Sequence, residues 1–158
     1  MRARDLAEPY PTIALDDQAL DAARLLAERR LPGVLVVDGD GLPKAVLPAS
    51  QLVRLLVPGY VLEDPSLAAV IDEAHADRMC AALEGLRVRE CLPKDVPLPV
   101  LADADDTTVE VAALMASSRT PLVAVLERPR DRRTAGTPRL LGAITAANLL
   151  QHLLEAAR

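Results

Sequence analysis

The 158 residues of the chain suffice for one domain or for two small intertwined halves, and a hydrophobic content of 51% excludes a disordered protein. The net charge of −5 excludes a general nucleic-acid or anionic-membrane surface, and no apolar run approaches the roughly 18 residues of a membrane span. Tyr10 and Tyr60 are the only aromatic residues, so the core must be aliphatic and base-stacking platforms are excluded. Residues 1–5 lead into patterned sequence without the apolar region typical of a signal peptide, and Cys80 and Cys91 have no metal or redox spacing. A cytoplasmic protein without membrane insertion is therefore expected.

The first third of the chain predicts the order strand, helix, strand, strand, helix. Its first helix is expected to start at Asp16 or Asp17, whose carboxylate can accept first-turn N–H groups, and to end at about Arg29. Apolar residues at i, i+3, i+4 and i+7, beginning with Ala19, give this helix one buried face. The remaining predicted elements are strands at 12–15, 34–37 and 45–47, a turn at 38–41 and a helix at about 50–56.

The same order recurs in the second half of the chain at a constant spacing. The helical stripe that begins at Ala19 recurs from Thr108, 89 residues later, and Pro32 recurs as Pro121 at the same distance. After a longer second hairpin the spacing becomes 97 residues, which pairs Ala45 with Gly142, Pro48 with Thr145, and Gln51 with Asn148. Two copies of β-α-β-β-α indicate an internal duplication and an α/β (α+β) fold.

The duplication defines the predicted domain organisation. The first motif covers residues 1–56, a linker covers 57–86, and the second motif covers 87–158, together forming one domain. One or two short helices that span the halves are expected in the linker, because a structureless segment of about 30 residues is uncommon in a compact domain. Asp64 followed by proline is typical of a helix start, and Gly85 can end a helix.

Residues 140–150 form the candidate site, in which an apolar strand passes through Thr145 into an apolar helix. The first N–H groups of such a helix lack partners within it and suit a phosphate or a ribose. A purely structural explanation is also available, since Thr145 as N-cap with Asn148 three residues on is close to a capping box, worth about 1 kcal/mol. Both interpretations stay open on these residues alone.

The duplicated pattern resembles a tandem pair of CBS (cystathionine-β-synthase) motifs, the unit known as a Bateman module. Three segments carry the resemblance, residues 30–38, 119–125 and 142–150. The last of these follows the family's ending of Gly, two apolar residues, Thr or Ser, two variable residues, and Asp or Asn. The resemblance covers the chain except for the linker 57–86 and the hairpin 128–138.

The resemblance implies two motifs in a pseudo-two-fold arrangement, with small sheets packed together, helices outside and two clefts. In the family these clefts commonly bind adenosine-containing ligands such as AMP, ADP, ATP or S-adenosylmethionine, as regulatory ligands and not as required cofactors. Modules often pair into a flat homodimer. Because the two motifs fill this chain from near its first residue to its last, regulation is expected to act in trans on a separate effector protein.

In the family, the residue at the position of Asn148 bonds the ribose, while the hydroxyl at Thr145 and the adjacent N–H groups hold phosphate. An amide can bond a diol, although without the charge-assisted strength of a carboxylate. Arg119 stands where the family often has a phosphate-contacting cation, but an exposed arginine at a helix end also interacts favourably with the dipole and with water. Residues 100–101 would supply an apolar wall for adenine. The predicted site comprises Thr145, Asn148, Arg119, Pro121, Val100, Leu101, Gly142 and Ala143.

The corresponding cleft of the first motif is a weaker candidate. Pro48 replaces the threonine and removes both a hydroxyl and a backbone donor, and Gln51 replaces the acid with a longer amide. This cleft is expected to be empty or altered. Its predicted residues are Thr12, Ile13, Arg30, Pro32 and Gln51.

Two charged clusters have ordinary explanations. The basic stretch 127–133 is typical of a solvated loop, and a docking patch for an acidic partner or a nucleotide tail is the alternative. Acidic residues, a histidine and a cysteine in the linker have no known metal-site spacing and are interpreted as a solvated helix face. That cluster comprises Asp72, Glu73, His75, Asp77 and Cys80.

No catalytic constellation is found, because no nucleophile or acid partner is spaced to lie beside His75 or His152. The chain is therefore not interpreted as an enzyme. The leading hypothesis is a regulatory sensor that binds an adenosine-containing ligand mainly in the second-motif cleft. The alternative is a ligand-free dimerisation or interaction scaffold, including one that regulates a membrane transporter.

Overall fold

The computed structural model of the protein describes residues 1–95, 98–129 and 136–157, and the predicted β-α-β-β-α order appears in it twice. The strands are β1 (Thr12–Ala14), β2 (Gly33–Val37), β3 (Pro43–Pro48), β4 (Leu101–Asp103), β5 (Leu122–Glu127) and β6 (Arg139–Thr145). The helices are α1 (Ala3–Leu6), α2 (Ala19–Arg29), α3 (Ala49–Leu56), α4 (Gly59–Glu63), α5 (Glu73–Ala76), α6 (Val88–Cys91), α7 (Thr108–Ser118) and α8 (Ala146–Ala156), with 3₁₀ helices at Pro65–Val70 and Met79–Leu83. The predicted α/β class is confirmed.

The strands form two three-stranded sheets, with the orders β1-β2-β3 and β4-β5-β6. In the second sheet β5 is the central strand, parallel to β4 and antiparallel to β6. Its residues from Leu122 to Leu126 are all buried, as expected for a strand covered on both faces. The register places Leu122 opposite Thr145 and Val125 opposite Gly142. The pairing of β5 with β6 therefore fixes the positions of these two candidate site residues.

The chain divides into two compact units, and each combines elements of both repeats. Unit 1 comprises Met1–Pro11, Val37–Ala45 and Pro97–Arg158, and unit 2 comprises Thr12–Val36 and Val46–Val96. The short helix α1 of the first repeat thus belongs with the strands of the second, and α6 of the second repeat belongs with the strands of the first.

Helix α1 is anchored in the core of unit 1. It has four residues, too few for an isolated helix to be stable, so its docking depends on tertiary contacts. Ala3 and Leu6 are fully buried, and burial of a leucine side chain contributes about 1.5–3 kcal/mol. The core around them includes Ala102, Ala104, Val111, Met115, Val123, Val125, Ile144 and Leu149.

The same pair of charges fixes the short helix in each unit. In unit 1 Arg4 pairs with the carboxylate of Asp105 at 2.5 Å, and in unit 2 Arg89 pairs with Asp16 at 2.5 Å. The two arginines stand 85 residues apart and the two aspartates 89. The duplication therefore extends to side-chain contacts.

The predicted start of α2 is wrong. The N-cap is Gln18, which makes no side-chain capping bond. Asp17 instead accepts the N–H of Ala14 at 2.9 Å, and Asp16 pairs with Arg89. The two carboxylates close the strand-to-helix turn and hold α6, because aspartate bonds nearby backbone N–H groups in turns as readily as at helix ends.

The linker contains four short helical segments, not one or two, and all of it lies in unit 2. Each break has a local cause in the sequence. Asp64 accepts the N–H of Ser66 at 3.1 Å to start the first 3₁₀ helix, and Asp72 accepts the N–H of His75 at 2.8 Å to start α5. Repeated capping residues end one turn and begin the next before a long helix can form.

Part of the predicted second hairpin, residues 130–135, lies outside the described residues, as does Pro97. Within the described part of the chain, no helix has the length and apolar character needed to cross a bilayer.

Candidate functional site

The start of α8 is built from the ends of two neighbouring strands. Thr145 is extended (φ −89°, ψ 155°), and its Oγ1 accepts the N–H of Asn148 at 3.2 Å. The N–H of Ala146 donates to the carbonyl of Pro121, which directly precedes β5, at 2.9 Å. Thr145 is thus the N-cap of α8, as the structural interpretation predicts, and the backbone of Pro121 lies beside it.

Capping does not explain Asn148. Its Nδ2 donates to the carbonyl of Leu6 in α1 at 3.4 Å, and its Oδ1 is buried without a hydrogen-bond partner among the described residues. In a capping box this oxygen would accept the N–H of Thr145. A buried polar atom without a partner costs about 1–3 kcal/mol, so such an atom needs an explanation in a ligand or an ordered water.

The chain after α1 lies across β6 next to this asparagine. Glu8 and Ala143 exchange two backbone hydrogen bonds, each of 3.0 Å. At Gly142, with φ 153°, a Cβ would lie 2.1 Å from the carbonyl oxygen of Glu8. Residues 6–9, which we call the strap, therefore depend on a glycine at this point of β6.

Val100 and Leu101 lie one strand further across the same sheet. The N–H of Ala124 donates to the carbonyl of Val100 at 3.0 Å, and Ala124 is paired with Leu101 on one side and with Ala143 on the other. The central strand β5 thus separates these two residues from β6. Leu101 is 38% exposed, which leaves aliphatic surface free at the beginning of β4.

Arg119 lies on a different side of α8 from Asn148. It is the exposed C-cap of α7 in the left-handed conformation (φ 51°), and with Pro121 it lines a groove of about 530 Å³ between α7 and α8. The α8 residues of this groove follow the spacing of one helical face, and Asn148 lies outside that face. They are Ala146, Leu149, Leu150 and Leu153.

Unit 2 repeats the backbone of the site with different chemistry. The N–H of Ala49 donates to the carbonyl of Pro32 at 3.0 Å, and Nε2 of Gln51 donates to the carbonyl of Cys91 at 3.1 Å. Pro48 is the N-cap of α3 and makes no side-chain bond. The proline and the longer amide thus occupy the positions of Thr145 and Asn148.

The other residues predicted for this weaker cleft lie in unit 2. Ile13 is buried and Thr12 is exposed on β1. Arg30 is the C-cap of α2 with φ 52°, equivalent to Arg119. A left-handed non-glycine residue costs about 1 kcal/mol or more, so both repeats retain the same strained turn before the strand.

Sequence reasoning missed Leu6 and Glu8 as neighbours of the site. A signal was present, because residues 89–92 resemble the opening of the chain and mark α1 and α6 as equivalent. The signal did not show that each short helix lies in the unit of the other repeat.

Desolvation raises the pKa of two side chains, Cys91 and Tyr10. Burial raises the pKa of the Cys91 thiol and the charge of Glu90 raises it further, so the thiol stays protonated at neutral pH. Burial also raises the pKa of Tyr10, which follows the strap.

The described arginines at the second hairpin are paired with acids. Arg128 lies 3.5 Å from Asp103, and Arg139 lies 2.7 Å from Glu127, along a cleft of about 370 Å³. The rest of the basic stretch, residues 130–133, lies outside the described residues.

In the linker, the described His, Cys, Asp and Glu side chains form no group of three that could hold a metal ion. Asp72, one of the cluster singled out in the sequence, caps α5 instead.

The two β-α-β-β-α copies, with a Thr-x-x-Asn start to the last helix, define a duplicated small-sheet module. The CBS domain family model matches residues 3–58. A CBS-domain-containing protein of unknown function from Kribbella flavida is 47% identical, with 98% of this chain and 99% of that chain covered and a TM-score of 0.83. The chain belongs to the CBS-domain proteins and carries a CBS pair, as the sequence predicts.

More distant structures share the fold alone. CBSX2 from Arabidopsis thaliana is 16% identical over 99% of this chain and 96% of that chain, with a TM-score of 0.71. A structure of CBSX2 in complex with AMP is 17% identical over 99% and 98%, with a TM-score of 0.66. None of the curated proteins matches the chain.

Proposed function

We propose that the protein binds an adenosine-containing ligand at the start of α8 and thereby regulates a separate partner protein. The observation that carries this proposal is the buried, unpartnered Oδ1 of Asn148. An amide oxygen accepts hydrogen bonds, and a ribose hydroxyl donates them. The AMP bound to CBSX2, which has the same fold, supports this class of ligand.

Thr145 and the helix itself suit the phosphate. The N-terminus of an 11-residue helix carries a partial positive charge, and the Thr145 hydroxyl can donate to an anion there. The N–H groups of Ala146 and Asn148 already donate to Pro121 and Thr145, so the hydroxyl and the helix dipole are the main attractions for a phosphate. Arg119 has a guanidinium that would fit a phosphate, but it lines the groove between α7 and α8 on a different side of α8 from Asn148, so we do not assign it to this phosphate. Val100 and Leu101 offer aliphatic surface for the adenine, and none of these roles involves catalysis.

We expect one ligand per chain. In unit 2 the amide nitrogen of Gln51 is held by Cys91, and Pro48 supplies neither a hydroxyl nor an N–H. The first-motif position therefore lacks the hydroxyl that Thr145 supplies in the second. Gln51 keeps an amide oxygen, and its nitrogen is bonded to Cys91 as that of Asn148 is bonded to Leu6, so the proline makes the difference between the two positions. Two equal sites in a titration would contradict this assignment.

Calorimetry and thermal unfolding of ligand-stripped protein with ATP, ADP, AMP and S-adenosylmethionine test the proposal. A ligand at 100 times its Kd should stabilise the folded protein by about 2.7 kcal/mol. If none of the four produces heat or a Tm shift at millimolar concentration, the sensor function is wrong and the scaffold function stands.

The double variant Thr145→Ala, Asn148→Ala should abolish binding and leave the protein folded, because Asn148 contributes an unsatisfied group and Thr145 only one cap. The matched control is Gln51→Ala, which changes the equivalent amide of unit 2 and should bind as the wild type does. Retained binding in the double variant would place the site elsewhere.

We also propose that the protein forms a homodimer, through the groove between α7 and α8. Leu150 and Leu154 on α8 are 58% and 68% exposed, and Leu150 lines the groove, so this helix presents apolar surface that a partner can cover. A second copy of the chain offers the complementary apolar helices.

A further inference from the structure

The buried position of Oδ1 of Asn148 has a consequence for ligand entry. A ligand hydroxyl cannot reach an oxygen that solvent does not reach unless the covering chain moves. The Nδ2 of the same amide donates to the carbonyl of Leu6, the first residue of the strap, which places the strap against this side chain. This bond also fixes the orientation of the Asn148 amide. If the amide were rotated by 180°, its Oδ1 would face the carbonyl oxygen of Leu6, and two acceptors would oppose each other.

We infer that the strap, residues 6–9, is a gate that closes over Asn148 and opens when the ligand binds. The strap then signals occupancy of the site to whatever contacts the N-terminal segment. The inference rests on the proposed adenosine-ligand site and adds its regulation.

The strap can open without loss of the core. The side chains of Glu8 and Pro9 are exposed and Ala7 is half-buried, whereas the buried side chain of Leu6 is part of α1. Among the described residues, three hydrogen bonds join the strap to β6 and α8, the 3.4 Å bond from Asn148 and the two 3.0 Å bonds between Glu8 and Ala143. Opening also breaks the 2.9 Å bond from the N–H of Ala7 to the carbonyl of Ala3, because that N–H and the Leu6 carbonyl belong to one peptide unit. The rest of α1 keeps the pair of Arg4 with Asp105.

The second repeat lacks the corresponding donor. The residue equivalent to Glu8 is Pro93, 85 residues later, as Arg89 is equivalent to Arg4. A proline has no N–H and cannot form the two-bond bridge that Glu8 forms with Ala143. The bridge is therefore specific to the unit that holds Thr145 and Asn148, where the gate is needed.

The gate predicts how the strap affects affinity. If only the open state binds, the apparent Kd equals the intrinsic Kd divided by the open fraction. Glu8→Pro removes one backbone bond of the closed state and gives the strap the residue of its counterpart. Affinity for ATP should rise about five-fold, equivalent to about 1 kcal/mol for one hydrogen bond.

The matched control is Arg89→Gln, which breaks the ion pair with Asp16 in unit 2 and leaves the strap untouched. Its affinity for ATP should equal that of the wild type. An unchanged or weaker affinity in Glu8→Pro, or an equal gain in Arg89→Gln, would overturn the gate.

Hydrogen exchange on the wild type decides the question even where Glu8→Pro fails to fold. Saturating ATP, AMP or S-adenosylmethionine should speed exchange of the Glu8 and Ala143 amides. The Ala3 amide, bonded to the carbonyl of Asp106 at 2.8 Å, should stay protected. Binding with unchanged or slower exchange at Glu8 overturns the gate alone, and absence of binding with all probes overturns the proposed function as well.

Discussion

Gly142 shows how a single residue determines the geometry of the site. A hydrogen in place of a side chain lets the carbonyl of Glu8 approach β6, which brings the strap beside Asn148. The equivalent residue of the first repeat is Ala45, so the requirement for glycine is local to the second repeat.

Gly142→Ala should destabilise the protein by about 3 kcal/mol or more. The added Cβ would lie 2.1 Å from a backbone oxygen, which cannot move aside as a flexible side chain would, and the positive φ adds strain. Urea denaturation measures the loss. Gly39→Ala is the control, because nothing lies within 4 Å of its added Cβ, and equal stability of the two variants would contradict the close approach.

For individual residues, the sequence predicts interactions with neighbours along the chain but not contacts between residues far apart in the chain. The N-cap role of Thr145 follows from its own neighbourhood and could be predicted. The partner of Asn148 could not, because Leu6 lies 142 positions away and no spacing rule joins them.

Among the elements, α7 begins with a complete capping box. Thr107 is the N-cap, its N–H and hydroxyl both contact the carboxylate of Glu110, and the N–H of Glu110 donates back to Thr107. These bonds, the backbone N–H first and the hydroxyl second, lower the pKa of Glu110. Helix α8 has a cap of the same kind at Thr145 but no returning carboxylate.

The capping box makes stability depend on pH in a defined direction. The pKa of Glu110 is lower in the folded protein than in the unfolded chain, so the unfolded state binds the proton more readily. The free energy of unfolding therefore rises with pH between the folded-state pKa and the ordinary glutamate pKa. The contribution is fully present above the ordinary glutamate value of about 4.3 and is lost as pH falls through the folded pKa. Wild type and Glu110→Gln should therefore differ in Tm at pH 6, and the difference should shrink as the pH falls below the ordinary glutamate value. A constant difference would show that the carboxylate charge is not involved.

The boundaries of helices and strands could be predicted where a single sequence pattern marked them. The prediction was wrong where the same residues could serve two different structures. The strands and α8 follow from apolar runs and a clear threonine start. The start of α2 was misassigned because Asp16 and Asp17 can serve either a helix cap or a turn, and tertiary contact with Arg89 decides between them.

For the whole molecule, the duplication in the sequence predicted both copies and the family. It did not show that α1 and α6 each lie with the strands of the other repeat, because a repeat specifies which elements are equivalent and not which copy they pack against. That exchange brings the strap to the proposed site, so the contact of Leu6 with Asn148 is a property of the whole fold.

The proposed homodimer is also a property of the whole molecule. An isologous interface places the same patch of both copies of the chain in contact. Exposed apolar residues at equivalent positions of the two internal repeats would enlarge such a patch. Leu150 is 58% exposed, and its equivalent in the first repeat, Val53, is 57% exposed. A stable interface needs about 800 Å² from each partner, so the groove with Leu150 and Leu153 would form its centre, and the exposed Leu154 beside it would extend the contact.

Leu150→Glu should convert the dimer to a monomer without loss of folding, because the substituted side chain is exposed within the chain and only pairing would bury its charge. Light scattering should give twice the chain mass for the wild type and the chain mass for the variant. Val70→Glu, which charges a 79% exposed linker residue that does not line the groove, is the control and should remain dimeric. A wild type that is monomeric at high concentration, or a Leu150→Glu variant that stays dimeric, would show that this groove does not join two copies of the chain.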